Sequence, residues 1–258
     1  MPCTDMTCNN PTCNENGDRS SDDDRRPVTQ EQAAAERAER EKKKQELEVR
    51  YKNFISAIMV GDANIENVKR LHHHSFVVSM EYSRENPPIY CAASKGYAEI
   101  VKYLLDQGHS PVTPNANTQS LEIPLSIAAV KGHLEVVSLL LNKYTDFQKI
   151  ANISNYNGNT ALHFAAYENH FEIVKFLVQN GIPVNKTNEH KESALHIAAR
   201  KGHGAIVRYL CSQGANINLK NKQGQTPLLV AADNLSGDVK ELLRGVDYLS
   251  PCNMVSLI

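Results

Sequence analysis

Asn159-Thr160-Ala161-Leu162-His163-Phe164-Ala165-Ala166, followed by Asn169-His170-Phe171-Glu172-Ile173-Val174-Lys175-Phe176-Leu177, sets the pattern on which this sequence is built. The pattern returns as Ser193-Ala194-Leu195-His196-Ile197-Ala198-Ala199, then Gly202-His203 and Ile206-Val207-Arg208-Tyr209-Leu210. Thr226-Pro227-Leu228-Leu229-Val230-Ala231-Ala232 opens a third copy. Leu162, Leu195 and Leu228 succeed one another at intervals of 33 residues, a period that marks a repeat architecture. Each copy reads as two short helices. Thr160, Ser193 and Thr226 are placed to cap first helices, and Pro227 suits the first helical position, where its missing N–H costs nothing. Gly181 and Gly214 are placed to end second helices in the left-handed conformation. The paired alanines Ala165-Ala166 and Ala198-Ala199 allow neighbouring first helices to approach closely. Ile173, Val174 and Leu177 supply the apolar stripe of a second helix. One such helix pair cannot bury its apolar face alone, but stacked neighbours can.

Two further copies lie upstream. One reads Pro87-Pro88-Ile89-Tyr90-Cys91-Ala92-Ala93, then Gly96 and Ile100-Val101-Lys102-Tyr103-Leu104-Leu105, closing at Gly108. The other reads Ile123-Pro124-Leu125-Ser126-Ile127-Ala128-Ala129, then Gly132-His133 and Val136-Val137-Ser138-Leu139-Leu140. The interval stretches to 36 residues from Ile89 to Leu125 and to 37 from Leu125 to Leu162. The extra residues fall around Ser110–Ser120 and Thr145–Asn155, in turns, where insertion does not interrupt helix stacking. Lys143-Tyr144 stands where a helix-ending glycine is expected. A degenerate first repeat precedes these: its first helix carries Phe54, Ile55, Ala57, Ile58 and Met59, and Gly61-Asp62 starts a second helix with Ile65, Val68 and Leu71. Val239, Leu242 and Leu243 mark a sixth, capping repeat.

T-P-L-H-x-A-A, G-H and I-V-x-x-L-L in fixed phase resemble the ankyrin repeat. The resemblance implies a mainly α fold: an α-solenoid of about six helix-turn-helix repeats with β-turn or hairpin loops, here preceded by a long charged helix. It implies that His163 and His196, in the T-P-L-H slot, hydrogen-bond between repeats, and gives the same structural role to His133, His170 and His203. It also implies a binding surface on the turn tips and the exposed side of the first helices. Carried over slot by slot, the partner-binding candidates are Ser94 and Lys95; Val130 and Lys131; Asn157, Asn159, Tyr167 and Glu168; His190, Glu192, Arg200 and Lys201; and Gln223, Gln225, Asp233 and Asn234. Lys95, Lys131, Arg200 and Lys201 make one edge basic, which suits an acidic peptide. In animal ankyrin proteins a turn asparagine after Val or Ile, eight residues past a leucine, is a hydroxylation acceptor. Asn185 and Asn218 fit that pattern.

The sequence divides into a tail at 1–28, a charged helical extension at 29–50, the repeat domain at 51–245 and a short segment at 246–258. The tail is rich in Asn, Asp, Ser and Pro and reads as disordered. Thr29 and Gln32 form a capping box. From Gln30 to Val60 there is neither Gly nor Pro, and Glu36–Arg40, Glu39–Lys43, Glu46–Arg50 and Glu48–Lys52 are pairs in the favourable order, so one long helix is predicted. Its first half has alanines but no sustained apolar seam, which argues against a strong coiled coil. It is read as a solvated extension, with dimerisation through Gln30–Arg50 as the alternative to a monomer. His72-His73-His74 point in different directions along a helix and do not converge on one metal.

Among 258 residues, 41% are hydrophobic and 22% charged, with a formal net charge of −1. This is an ordinary globular composition that excludes the bulk charge of a nucleic-acid or membrane-surface binder. No apolar run is long enough to span a bilayer, and the polar N-terminus lacks the apolar core of a signal peptide. The six cysteines, Cys3, Cys8, Cys13, Cys91, Cys211 and Cys252, lack a disulfide-scaffold or zinc spacing and read as free thiols in a reducing compartment, cytoplasmic and extending to the nucleus. No phosphate loop, nucleophile elbow or metalloprotease motif occurs. The expected function is therefore non-enzymatic and without cofactor or metal: an adaptor that recognises one protein partner through the concave face of the array. The alternative is a regulatory or inhibitory subunit with the N-terminal helix as a second contact. Finally, Met254-Val255-Ser256-Leu257-Ile258 resembles a C-terminal ligand of PDZ domains, with Ser256, Leu257 and Ile258 as the recognised residues.

Overall fold

First helices begin at Thr160 and Ser193, whose backbones are extended and whose side chains close the first turn. Each forms a capping box in which histidine takes the place of the usual Glu or Gln. His163 Nδ1 accepts from the Thr160 backbone N–H at 3.2 Å, and His196 Nδ1 accepts from that of Ser193 at 3.3 Å. A backbone N–H can only donate, so both Nδ1 atoms are unprotonated and the proton sits on Nε2. That proton reaches the next repeat: His163 Nε2 donates to the Glu192 carbonyl at 3.1 Å and His196 Nε2 to that of Gln225 at 3.2 Å. Burial pushes the His163 imidazole down to about 4, so it stays neutral. These bonds are the inter-repeat role that the resemblance implies.

The computed structural model describes residues 30–60, 64–72, 86–112, 123–143, 152–233 and 237–248. In chain order the helices are α1 (Gln30–Met59), α2 (Ile65–Leu71), α3 (Pro88–Lys95), α4 (Ala98–Asp106), α5 (Pro124–Lys131), α6 (Leu134–Asn142), α7 (Ala161–Tyr167), α8 (Phe171–Gln179), α9 (Ala194–Lys201), α10 (Gly204–Ser212), α11 (Pro227–Asp233) and α12 (Gly237–Tyr248). Among the described residues the remaining regular structure is one antiparallel bridge, Thr187–Ser193, which closes a hairpin turn.

First helices lie side by side in the order α3, α5, α7, α9, α11, and second helices in the order α4, α6, α8, α10, α12. The alanine pairs, Ala92-Ala93 through Ala198-Ala199, are fully buried between first helices. Second helices bury Ile100, Val101 and Leu104, then Val136, Val137 and Leu140, then Ile173, Val174 and Leu177, then Ile206, Val207 and Leu210. Each such side chain contributes about 1.5–3 kcal/mol on burial, and one continuous core runs from Tyr51 to Leu243. Cys91 and Cys211 lie in that core as thiols, outside any disulfide, and burial pushes Cys211 up to about 11. The other four cysteines lie outside the described residues.

First helices end on Gly96, Gly132 and Gly202, each with φ near +80°. In the fourth repeat Asn169 occupies that slot, at φ 64°. The following histidines head the second helices and reach backwards: His133 Nε2 donates to Ser94 O at 3.2 Å, His170 to Val130 O at 2.9 Å and His203 to Tyr167 O at 3.1 Å. Thus both histidine slots bridge repeats, one forwards and one back. Gly181 and Gly214 follow α8 and α10 at positive φ, as the C′ reading requires. At Lys143, α6 ends with an ordinary right-handed backbone, so the missing glycine is replaced by a different exit.

Turn tips are built on Asn155, Asn188 and Asn221. Each side-chain oxygen accepts two backbone N–H groups, from Asn157 and Asn159, from His190 and Glu192, and from Gln223 and Gln225, at 2.9–3.0 Å. All three asparagines are buried. Neighbouring tips are joined by single backbone bonds, Glu189 N–H to Asn157 O and Lys222 N–H to His190 O, both 2.9 Å.

The chain divides into two units, Met1–Glu46 and Leu47–Ile258. Within the first, α1 is exposed from Gln30 onward except for half-buried Ala33, and Glu36–Arg40 and Glu39–Lys43 close at 3.8 and 2.7 Å. Glu48–Lys52 closes in the second unit at 3.1 Å, whereas Glu46–Arg50 does not come within 4.0 Å. The C-terminal part of α1 buries Tyr51, Phe54 and Ile58, one helical stripe. Helix α2 begins at Ile65 with Asn64 as its cap, accepting from Glu66 N–H at 3.0 Å. Gly61 and Asp62, where its start was expected, lie outside the described residues, as do Thr29, His73 and His74.

Candidate functional site

Two cavities lie beside one another on the face made by the first helices and the turn tips. The first, about 290 Å³, is lined by Val130, Asn159, His163, Phe164, Tyr167, Glu168 and Ile197. Helices α5, α7 and α9 position its apolar floor, with Val130 and Phe164 half-buried and Ile197 buried. Tyr167, 46% exposed, forms a wall. Lys201 Nζ lies 3.7 Å from the Tyr167 ring centroid, a cation–π contact that holds the ring in place.

The second, about 330 Å³, is lined by His190, Glu192, Arg200, Asn221, Lys222, Gln223, Gln225 and Val230. Glu192 is nearly buried and is ion-paired with Arg200. Burial lowers the Arg200 pKa. Lys222, His190 and Gln223 are exposed at the mouth.

Of the residues chosen from sequence, Val130, Asn159, Tyr167 and Glu168 line the first cavity and His190, Glu192, Arg200, Gln223 and Gln225 the second. Ser94, Lys95, Lys131, Asn157 and Lys201 line neither. Asp233 ends α11, its side chain outside the described set, and Asn234, Ser256, Leu257 and Ile258 lie outside the described residues. Several of the chosen groups have structural duties: Asn159 Oδ1 accepts from Asn188 Nδ2 at 2.9 Å, and Ser94 O, Val130 O, Tyr167 O, Glu192 O and Gln225 O receive histidine protons. Asn185 is exposed and ties down the next turn, accepting from Asn216 N–H at 2.7 Å and donating to Gly214 O at 3.3 Å. Asn218 is exposed, its backbone N–H donating to Asn216 Oδ1. Sequence reasoning missed Phe164, Ile197, Val230, Asn221 and Lys222. The first three are fixed by phase alone, each one residue before an Ala-Ala pair, and could have been placed that way.

No group of three or more His, Cys, Asp or Glu side chains among the described residues converges to hold a metal ion, and no described helix is long and apolar enough to cross a membrane.

The family model for ankyrin repeats in three copies matches residues 54–150, 110–188 and 181–251. The chain belongs to the ankyrin-repeat family. Ankyrin repeats are protein–protein interaction modules, and the family is typically non-catalytic. Among relatives, ankyrin repeat and SAM domain-containing protein 6 of Mus musculus is 36% identical over 101 residues, 39% of this chain and 11% of that protein. Human transient receptor potential cation channel subfamily A member 1 is 35% identical over 104 residues, 40% of this chain and 9% of that protein. Probable E3 ubiquitin-protein ligase XBOS32 of Oryza sativa subsp. japonica is 41% identical over 136 residues, 50% of this chain and 25% of that protein. The ankyrin stretch of this chain thus spans a quarter or less of each of these relatives.

Proposed function

We propose that this ankyrin-repeat chain is a non-enzymatic adaptor that holds a partner protein against the concave face of its array. The observation that carries this reading is the pair of adjoining cavities between α5, α7, α9 and α11, with Tyr167, Glu168, His190, Lys222 and Gln223 exposed at their rims. Catalysis has no comparable support, because both buried T-P-L-H histidines are held neutral and fully bonded between their own N-cap and the next repeat. The test is affinity capture from lysate with the whole chain and with the four-site variant Tyr167→Ala, Lys201→Glu, Lys222→Glu and Gln223→Ala. All four side chains are exposed, so the variant keeps its Tm. Loss of the captured partner supports the face; full retention rejects it.

A second reading is a regulatory or inhibitory subunit that uses α1 as an additional contact. It is favoured by Val49, an apolar side chain of α1 that is 58% exposed. Deleting residues 1–50 separates the two: an adaptor keeps its partner, whereas a regulatory subunit, or a dimer formed through Gln30–Arg50, loses a contact.

A further inference from the structure

We propose that the face takes an extended segment of its partner bearing an apolar side chain and, about five to six residues away, a carboxylate, the first seated against Tyr167 and the second against Lys222. This rests on the concave-face reading and names its ligand.

The apolar half follows from the floor of the first cavity. Val130, Phe164 and Ile197 offer carbon, and the polar atoms there are already engaged: His163 by its cap and by Glu192 O, Asn159 by Asn188. About 290 Å³ holds one leucine- or phenylalanine-sized side chain. Glu168 at the rim is offset in sign by Lys201 over the Tyr167 ring.

The acidic half follows from charge. In the second cavity Glu192 and Arg200 neutralise one another. That leaves the Lys222 ammonium and the His190 imidazole at the mouth, neither with an ion-pair partner among the described residues. A carboxylate entering there meets a positive group and, among the lining residues, no unmatched negative one.

Spacing follows from α9, which separates the cavities: Ile197 lines one and Arg200, a turn later, the other. Neighbouring packed helices lie about 8–10 Å apart, and an extended chain advances about 3.3 Å per residue. Tyr167 and Lys222 belong to the fourth and sixth repeats, two such spacings apart, so about five to six residues carry the ligand from one anchor to the other.

The test is selection of random phage-displayed peptides on the full chain, followed by fluorescence anisotropy on the selected peptides. Enrichment of Asp or Glu about five to six residues from an aliphatic or aromatic residue is expected. Lys222→Glu, Tyr167→Ala and exchange of the peptide acid for its amide should each weaken binding about tenfold or more, and Lys222→Glu with the amide peptide should lose little beyond either alone. Selected peptides without that spacing, or bound equally by Lys222→Glu, overturn the proposal; stronger binding of phosphoserine than of aspartate at the acidic position replaces the carboxylate by a phosphopeptide and also overturns it. If the lysate partner is lost by the four-site variant while the peptides break the rule, the face stands and the ligand chemistry falls.

Discussion

Gly132 and His170 are built around each other. A Cβ on Gly132 would lie 2.6 Å from His170 Cε1, and the same imidazole donates through Nε2 to Val130 O, two residues before that glycine. Gly96 and His133 repeat the arrangement, again at 2.6 Å. The G-H dipeptide is therefore two half-sites: each glycine clears space for the histidine of the next repeat.

Gly132→Ala should cost on the order of 2–4 kcal/mol, part from placing a side chain at φ 80° and part from the collision. Urea denaturation measures the total. Adding His170→Ala removes the collision but not the backbone cost, so the double variant should lose less than the two single losses added together. Simple additivity would show that the contact is not felt.

Lys191→Gly should stabilise the protein. Lys191 holds φ 55° at a turn position where Gly158 and Gly224 sit in the neighbouring tips. Relief of left-handed strain outweighs the added freedom of the unfolded chain, a net gain of ~0.5–1 kcal/mol. Asn169→Gly should gain less, since asparagine tolerates this conformation better. A fall in the urea midpoint of Lys191→Gly would contradict the assignment.

Leu195→Ala should cost about 2–5 kcal/mol, because Leu195 is wholly buried between layers. Coupling in a linear array is between nearest neighbours, so hydrogen exchange should quicken most in repeats four to six. Equal quickening from residue 50 onward would argue against an array that opens locally.

Acid should destabilise the fold through buried imidazoles. His109 Nε2 lies 3.2 Å from His72 Nε2, and their ring centroids are 5.4 Å apart. The rings are therefore nearly end to end, which suits one neutral ring donating to another. Burial, with the neighbouring His72 adding to it, pushes His109 down to about 4; His163 lies near the same value. The ordinary value of 6.5 applies when unfolded, so the full stability is present above pH 6.5. As pH falls toward 4 the unfolded chain takes up protons that the folded one refuses, and each group costs up to roughly 1.4 kcal/mol per pH unit. His72→Leu with His109→Ile places apolar residues in slots filled by Leu105 and Ile182 one repeat or more further on. Its urea midpoint should drop less between pH 7 and pH 5 than that of the natural protein. An unchanged slope would remove this pair from the account.

The repeat phase, the caps at Thr160 and Ser193 and the long helix from Gln30 were legible because each depends on residues near one another in sequence. The tip asparagines Asn155, Asn188 and Asn221 were equally periodic, at the same 33-residue interval, but their role shows only when two backbone N–H groups turn towards one oxygen. The pairing of His72 with His109 was not legible. His72 was read against its neighbours His73 and His74, while its partner comes from the following repeat. The cavities were legible only in part: surface slots named Tyr167 and Arg200, but which of them sit beside Phe164 or Lys222 depends on how far one repeat stands from the next.

Those distances are not held with equal firmness throughout the array. Adjoining turn tips share only a few hydrogen bonds, about 1 kcal/mol each in net terms, whereas their helices share buried leucines, isoleucines and alanines. The molecule is in this respect a bellows, with a stiff spine and compliant pleats. Small changes in curvature open or narrow the mouths of the cavities at little energetic cost, so the same side chains can close on ligands of slightly different thickness without disturbing the core behind them.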